Sequence, residues 1–124
     1  MEFISTSDAP APGGHYSQAV SANGFIFVAG QLPFDHSRPG HPPEGIEAQA
    51  RQAFANVEHV LLAAGSSLNK IVNAIVFVTD IAHWPEINRV YADIMGQHRP
   101  ARTVAVSPQL HYGCLVEIQV TALA

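Results

Sequence analysis

The chain has 124 residues, 48% hydrophobic and 13% charged, with a net charge of −4 when histidine is neutral. That length fits one domain over residues 1–124, and the apolar content excludes a disordered tail. Six Lys and Arg residues leave no basic patch for nucleic acid, and the single cysteine, Cys114, excludes an intrachain disulfide and fits a reducing, cytoplasmic setting.

Met1 to Pro12 has no basic segment followed by an apolar run, so no secretory signal is expected there. No apolar stretch is long enough to cross a bilayer. Asp8 to Gly14 is rich in Pro and Gly and reads as an extended arm. Tyr16 to Ser21 and Phe25 to Ala29 read as strands joined at Asn23-Gly24, a hairpin signal. Four prolines make Gly30 to Glu44 a loop. Ile46 to Ala64 carries apolar residues at helical spacing, with Gly65 placed to end the helix. Ile71 to Thr79 is a β-branched strand. Trp84 to Met95 is a second helix with Pro85 in its first turn, and Trp84, Ile87, Tyr91 and Ile94 mark its apolar side. Thr103 to Val106 and Cys114 to Leu123 complete the order ββαβαββ, an α+β chain with two helices for one face of a mixed sheet.

Those strands are apolar on both alternating sets, yet two helices cover only one face. Further copies of the chain are expected to cover the other. In the last strand Glu117 falls with Leu115, Gln119, Thr121 and Leu123, on the side left for a neighbour. A carboxylate there has to be paired, hydrated or functional.

The chain has no phosphate loop, zinc quartet or nucleophile elbow. Its 7 histidines lack metal-ligand spacing, so they read as surface or hydrogen-bonded structural groups, and Cys114 reads as a small buried hydrophobe. A sparse set remains: Tyr16, Gly30, Asn88, Arg102 and Glu117. Pro100-Ala101-Arg102-Thr103 puts a cation at the start of an apolar strand in a cation-poor chain. Arginine suits bidentate capture of a carboxylate; an ion pair on the rim is the competing reading.

The segments His15-Tyr16-Ser17-Gln18-Ala19, Val28-Ala29-Gly30-Gln31-Leu32-Pro33, Asn88-Arg89-Val90-Tyr91, Pro100-Ala101-Arg102-Thr103 and Leu115-Val116-Glu117-Ile118 together resemble the RidA/YjgF family, the reactive enamine/imine deaminases, also called the endoribonuclease L-PSP family. The resemblance runs from about Ala9 to Ala122 and implies a chorismate-mutase-like homotrimer with a central barrel and clefts between subunits. It implies that Arg102 binds a substrate carboxylate, that Glu117 positions or activates water, and that Tyr16, Gly30, Ala29, Asn88 and Pro100 shape the pocket. Arg102 and Glu117 keep the family's interval of fifteen residues.

The implied activity is hydrolysis of 2-enamine or 2-imine acids such as 2-aminoacrylate to 2-oxo acids and ammonia, as in 2-iminobutanoate/2-iminopropanoate deaminases, without cofactor or metal and without a nucleic-acid or membrane partner. His15, Ala29, Val104, His111 and Gln119 depart from the usual family residues. They leave open a dedicated deaminase of the 2-aminomuconate type and a non-catalytic carboxylate-binding regulator. Ribonuclease activity fits poorly with so few cations.

Overall fold

A computed structural model describes all residues, 1–124. One six-stranded mixed sheet carries two helices on one face. The strands are β1 (Glu2–Ile4), β2 (Ala19–Ala22), β3 (Phe25–Gln31), β4 (Ile71–Val78), β5 (Ala101–Val106) and β6 (Val116–Leu123). The helices are α1 (Ile46–Ala63) and α2 (Trp84–Met95). Strand order is β1-β2-β3-β6-β4-β5, with β4 and β5 parallel and every other pairing antiparallel.

Local chemistry accounts for most element ends. Asn23 (φ 51°) and Gly24 (φ 83°) take the two positive φ values that a tight hairpin between β2 and β3 needs. Helix α1 ends where Gly65 (φ 80°) donates to Leu62 O and Ser66 donates to Leu61 O, satisfying two terminal carbonyls. Ahead of α2, Asp80 accepts from the Ala82 N–H at 2.9 Å, and Pro85 sits in the first turn where its missing N–H costs nothing.

Burial alternates along the central strand β6: Val116, Ile118, Val120 and Ala122 are buried with Cys114 just ahead of them, and Glu117, Gln119, Thr121 and Leu123 lie on the other face. The buried set packs against Phe54, Val57 and Leu61 of α1 and Ile87 and Val90 of α2 in one core. Opposite, Phe25, Phe27 and Leu123 are exposed and Phe77 half-buried, with Phe25 and Phe27 ring centroids 6.2 Å apart. The register places Phe27 beside Thr121, and Phe77 beside Glu117. The second apolar face read from the sequence is thus open in a single copy.

Several boundaries differ from the sequence reading, among them the end of β3, which runs on to Gln31 and takes Gly30 and Gln31 out of the expected loop. An additional strand, β1, pairs with β2, so the order is βββαβαββ. Strand β2 begins at Ala19 instead of Tyr16, because the Gln18 side chain is committed to the N-terminal arm: its amide donates to the carbonyls of Thr6, Ala9 and Pro10. Strand β5 begins at Ala101 instead of Thr103, so Arg102 lies within the strand, paired with Ala74 of β4. Strand β6 likewise starts at Val116, two residues after Cys114.

Candidate active site

Two clusters emerge, one at the middle of the sheet and one at its β5 edge. The first is built on β3 and β6. A bulge falls between Val28 and Gln31, and Ala29 and Gly30 sit in it. Glu117 of β6 packs against this bulge so closely that a Cβ on Gly30 would lie 2.7 Å from Glu117 Oε2. The missing Cβ thus leaves the Glu117 carboxylate room to sit against the strand. Burial raises the Glu117 carboxyl above the usual carboxylate range, opposed by the nearby His111. No ion pair neutralises it.

Glu117, Gly30, Ala29 and Tyr16 line one cavity of about 640 Å³, walled further by Phe34 and Tyr112. Tyr16 projects from the arm, half its surface exposed, and its hydroxyl accepts from the Gly13 N–H at 3.2 Å. Asn56 of α1 donates to the carbonyls of Leu32 and Phe34, both at 2.9 Å, and so fastens the loop that carries the far wall. No Lys or Arg lines this cavity.

The second cluster is built on β5 and α2. Arg102 Nη1 donates to Asn88 Oδ1 at 3.0 Å. The guanidinium lies 4.5 Å from the Trp84 ring centroid and 4.8 Å from that of Tyr91. Arg51 and Arg89 pair with carboxylates of Glu47, Glu86 and Asp93, whereas Arg102 has none. The rim ion pair that composition allowed is absent. Two aromatic faces and one amide hold the cation instead, leaving N–H groups free at its edge. Beside it, the buried Tyr91 hydroxyl has no hydrogen-bond partner, and burial raises its pKa against the pull of Arg102. Asn88, Arg102, Pro100 and Tyr91 share a cavity of about 460 Å³.

The sequence-derived set thus splits. Tyr16, Ala29, Gly30 and Glu117 meet at one cavity; Asn88, Pro100 and Arg102 meet at another. Glu117 pairs with Phe77, which pairs with Ala105, three residues beyond Arg102. Two strand spacings and three residues of rise separate the Cα atoms by about 14 Å. Arg102 also shares its face with buried Ala74, and Glu117 is on the other. One small substrate cannot touch both residues within one copy.

Four contributors escaped the sequence reading. Trp84 and Tyr91 register in the pattern as core, since periodicity reports burial and not a cation stacked on a ring. Phe34 and Tyr112 come from loops with no period at all. Their rings meet edge-on at 5.5 Å and 88°. Of the histidines, His98 contacts the Ile71 carbonyl at 2.7 Å and His59 the Asp8 carbonyl at 2.8 Å, both structural ties. Cys114 is buried, and its thiol is pushed up to about 11 by burial and then by Glu117, which makes it inert as a nucleophile. No group of three His, Cys, Asp or Glu side chains converges as a metal site.

Residues 6–124 match the family model described as Endoribonuclease L-PSP. The chain belongs to this family. A RutC family protein of Pyrococcus horikoshii is 39% identical over 98% of the chain and 96% of its own length. The mitochondrial protein Mmf1 of Saccharomyces cerevisiae is 37% identical over 97% of the chain and 82% of its own length. Among solved structures, RidA from an Antarctic Psychrobacter superposes with a TM-score of 0.95 at 35% identity, covering 100% of both chains. Escherichia coli TdcF with bound serine superposes with a TM-score of 0.94 at 31% identity, over 100% of this chain and 99% of its own. The L-PSP/RidA fold therefore accounts for the sheet order and the two helices. With a mitochondrial relative among them, family membership assigns no compartment. In this chain no helix is long and apolar enough to cross a membrane.

Proposed function

We propose that the chain hydrolyses 2-imino and 2-enamino acids at sites formed between copies of itself, in a homotrimer whose sheets enclose a central barrel. The observation that carries this reading is Arg102: a guanidinium held by Trp84, Tyr91 and Asn88, with no carboxylate of its own. Such a cation is preorganised for a carboxylate brought by a ligand. Its counterpart is a cavity with a carboxyl outside any ion pair and no Lys or Arg of its own. Each cluster lacks what the other supplies, and the open apolar sheet face gives copies a surface on which to meet. That the related TdcF was solved with serine bound fits an amino-acid-sized, carboxylate-bearing ligand.

The chemistry then follows. Arg102 of one copy grips the substrate carboxylate and fixes the imine carbon near Glu117 of the next. The Glu117 carboxylate accepts a proton from water as the water oxygen bonds to that carbon, and the imine nitrogen takes up a proton. The resulting amino alcohol collapses: the hydroxyl oxygen forms the C=O bond and releases its proton to solvent, repaying the one taken up by the imine nitrogen, while the C–N bond breaks, nitrogen receives the proton held by Glu117, and ammonia and a 2-oxo acid leave. Tyr16 walls the cavity, and Gly30 gives the carboxylate room. This chemistry balances with water alone. A cytoplasmic setting belongs to the same reading.

The direct test is to generate 2-aminoacrylate with a serine dehydratase and follow its decay. Wild-type protein accelerates the decay, and Arg102→Ala reduces kcat/KM by at least about 100-fold, as loss of a charged bidentate contact implies. Decay at the uncatalysed rate with wild-type protein removes the reading. The family description also carries RNA cleavage, so the same preparations are incubated with RNA; with six Lys and Arg residues and a net charge of −4, no cleavage is the expected outcome.

A further inference from the structure

Tyr112 adopts φ 61°, the left-handed region that a bulky residue rarely enters. Its ring is packed nonetheless. The edge-on contact with Phe34 closes one side, and the loop backbone at Gly40 closes another: a Cβ there would lie 3.2 Å from ring carbons of Tyr112. Phe34 is itself buried, and Asn56 fastens its carbonyl. Even so, 60% of Tyr112 is exposed. Strain accepted at an exposed aromatic residue needs a reason outside the packing of the chain. Tyr112 and Phe34 wall the cavity that holds Glu117, and no Lys or Arg lines it.

From this geometry we infer that Tyr112 and Phe34 select the substrate's side chain, and that the preferred substrate is a 2-imino monocarboxylic acid with a bulky apolar side chain, aromatic above all. This deepens the deaminase reading and rests on it. A ring seated edge-on or offset against the Tyr112–Phe34 pair gains an aromatic contact that a methyl group cannot make. A second carboxylate on the side chain would meet the Glu117 carboxyl with no Lys or Arg in the cavity, only the imidazoles of His36 and His111, to offset it. The cavity therefore disfavours dicarboxylic imines of the 2-aminomuconate type.

The test produces imines in situ from alanine, leucine, phenylalanine and glutamate with amino-acid oxidases, and measures kcat/KM by competition with semicarbazide. Wild-type protein is expected to prefer the phenylalanine imine over the alanine imine, with the glutamate imine poorest. Tyr112→Asn removes the ring while keeping a residue that tolerates positive φ, and lowers the phenylalanine-to-alanine ratio about three- to tenfold, the range an aromatic contact is worth. Tyr112→Phe keeps the ratio. A ratio unchanged in Tyr112→Asn, or a wild type that prefers the alanine or glutamate imine, overturns the inference and leaves the deaminase reading standing. Wild-type protein that accelerates none of the four imines overturns both.

Discussion

At Glu117 a half-buried position and a catalytic assignment pull in opposite directions. Burial raises its carboxyl pKa, so the folded chain binds the proton more tightly than the unfolded one. Stability therefore falls as pH rises from the unfolded value, about 4.3, through the raised folded value. Glu117→Gln removes this term: the melting temperature at pH 7 is expected to equal or exceed that of wild type, with no gain at pH 4. Activity of the wild type should show an acid limb above the usual carboxylate range, since only the ionised form accepts a proton from water. A thermal-melt series and a pH–rate profile measure the two effects separately. Beside it, Gly30→Ala is expected to fold normally, because the atom that its Cβ meets is the mobile end of a side chain. The same Cβ displaces the Glu117 carboxylate, so kcat should fall at least about tenfold with the melting temperature hardly moved.

Arg102 invites the complementary experiment on its supports. A desolvated cation–π contact is worth about 2 kcal/mol, an exposed one about 0.5–1. Trp84→Leu keeps an apolar residue at the start of α2 but removes the ring under the guanidinium. The expected result is a rise in KM of roughly three- to tenfold for carboxylate-bearing imines, with kcat less affected, and recovery in Trp84→Phe. A change in thermal stability alone, with KM unmoved, would assign Trp84 to packing.

The elements differ in how legible they were. Helices α1 and α2, the Asn23-Gly24 hairpin and the alternation in β6 came through because period and turn chemistry are local. Strand β1 did not, since three residues carry no period; it exists through pairing with β2, and only Ile4 of it is buried. The start of β2 was placed too early because nothing local in the sequence marks Gln18 as tied to the arm and not to the strand. The structure shows why it is buried: Gln18 accepts from the Thr6 N–H at 2.7 Å and donates to three carbonyls of the arm. Gln18→Ala strands those groups at a cost of about 1–3 kcal/mol. Amide exchange should then accelerate over residues 5–14, and activity should fall with it, because Pro10, Gly13 and Tyr16 wall the Glu117 cavity. Uniform loss of protection across the whole sheet would contradict a local clamp.

At the scale of the molecule, the fifteen-residue interval between Arg102 and Glu117 suggested one site, and the sheet separates the two residues across opposite faces. Sequence reports which residues a site uses, and for a shared site it is silent on which copy supplies each. The family resemblance made Arg102 and Glu117 legible, but the split between them is a property of register. It yields a test that needs no knowledge of the natural substrate. Arg102→Ala and Glu117→Gln, each inactive alone, are unfolded together, refolded as a 1:1 mixture and assayed. If every site takes its arginine from one copy and its carboxylate from the next, random assembly into a closed ring restores about one quarter of wild-type activity, since half of the arginine donors and half of the carboxylate donors are intact. If each chain builds its own site, no mixture recovers anything, because every chain lacks one group. Light scattering on the same samples should give three copies per particle. A monomer that is active at nanomolar concentration would refute the shared site whatever the mixing result.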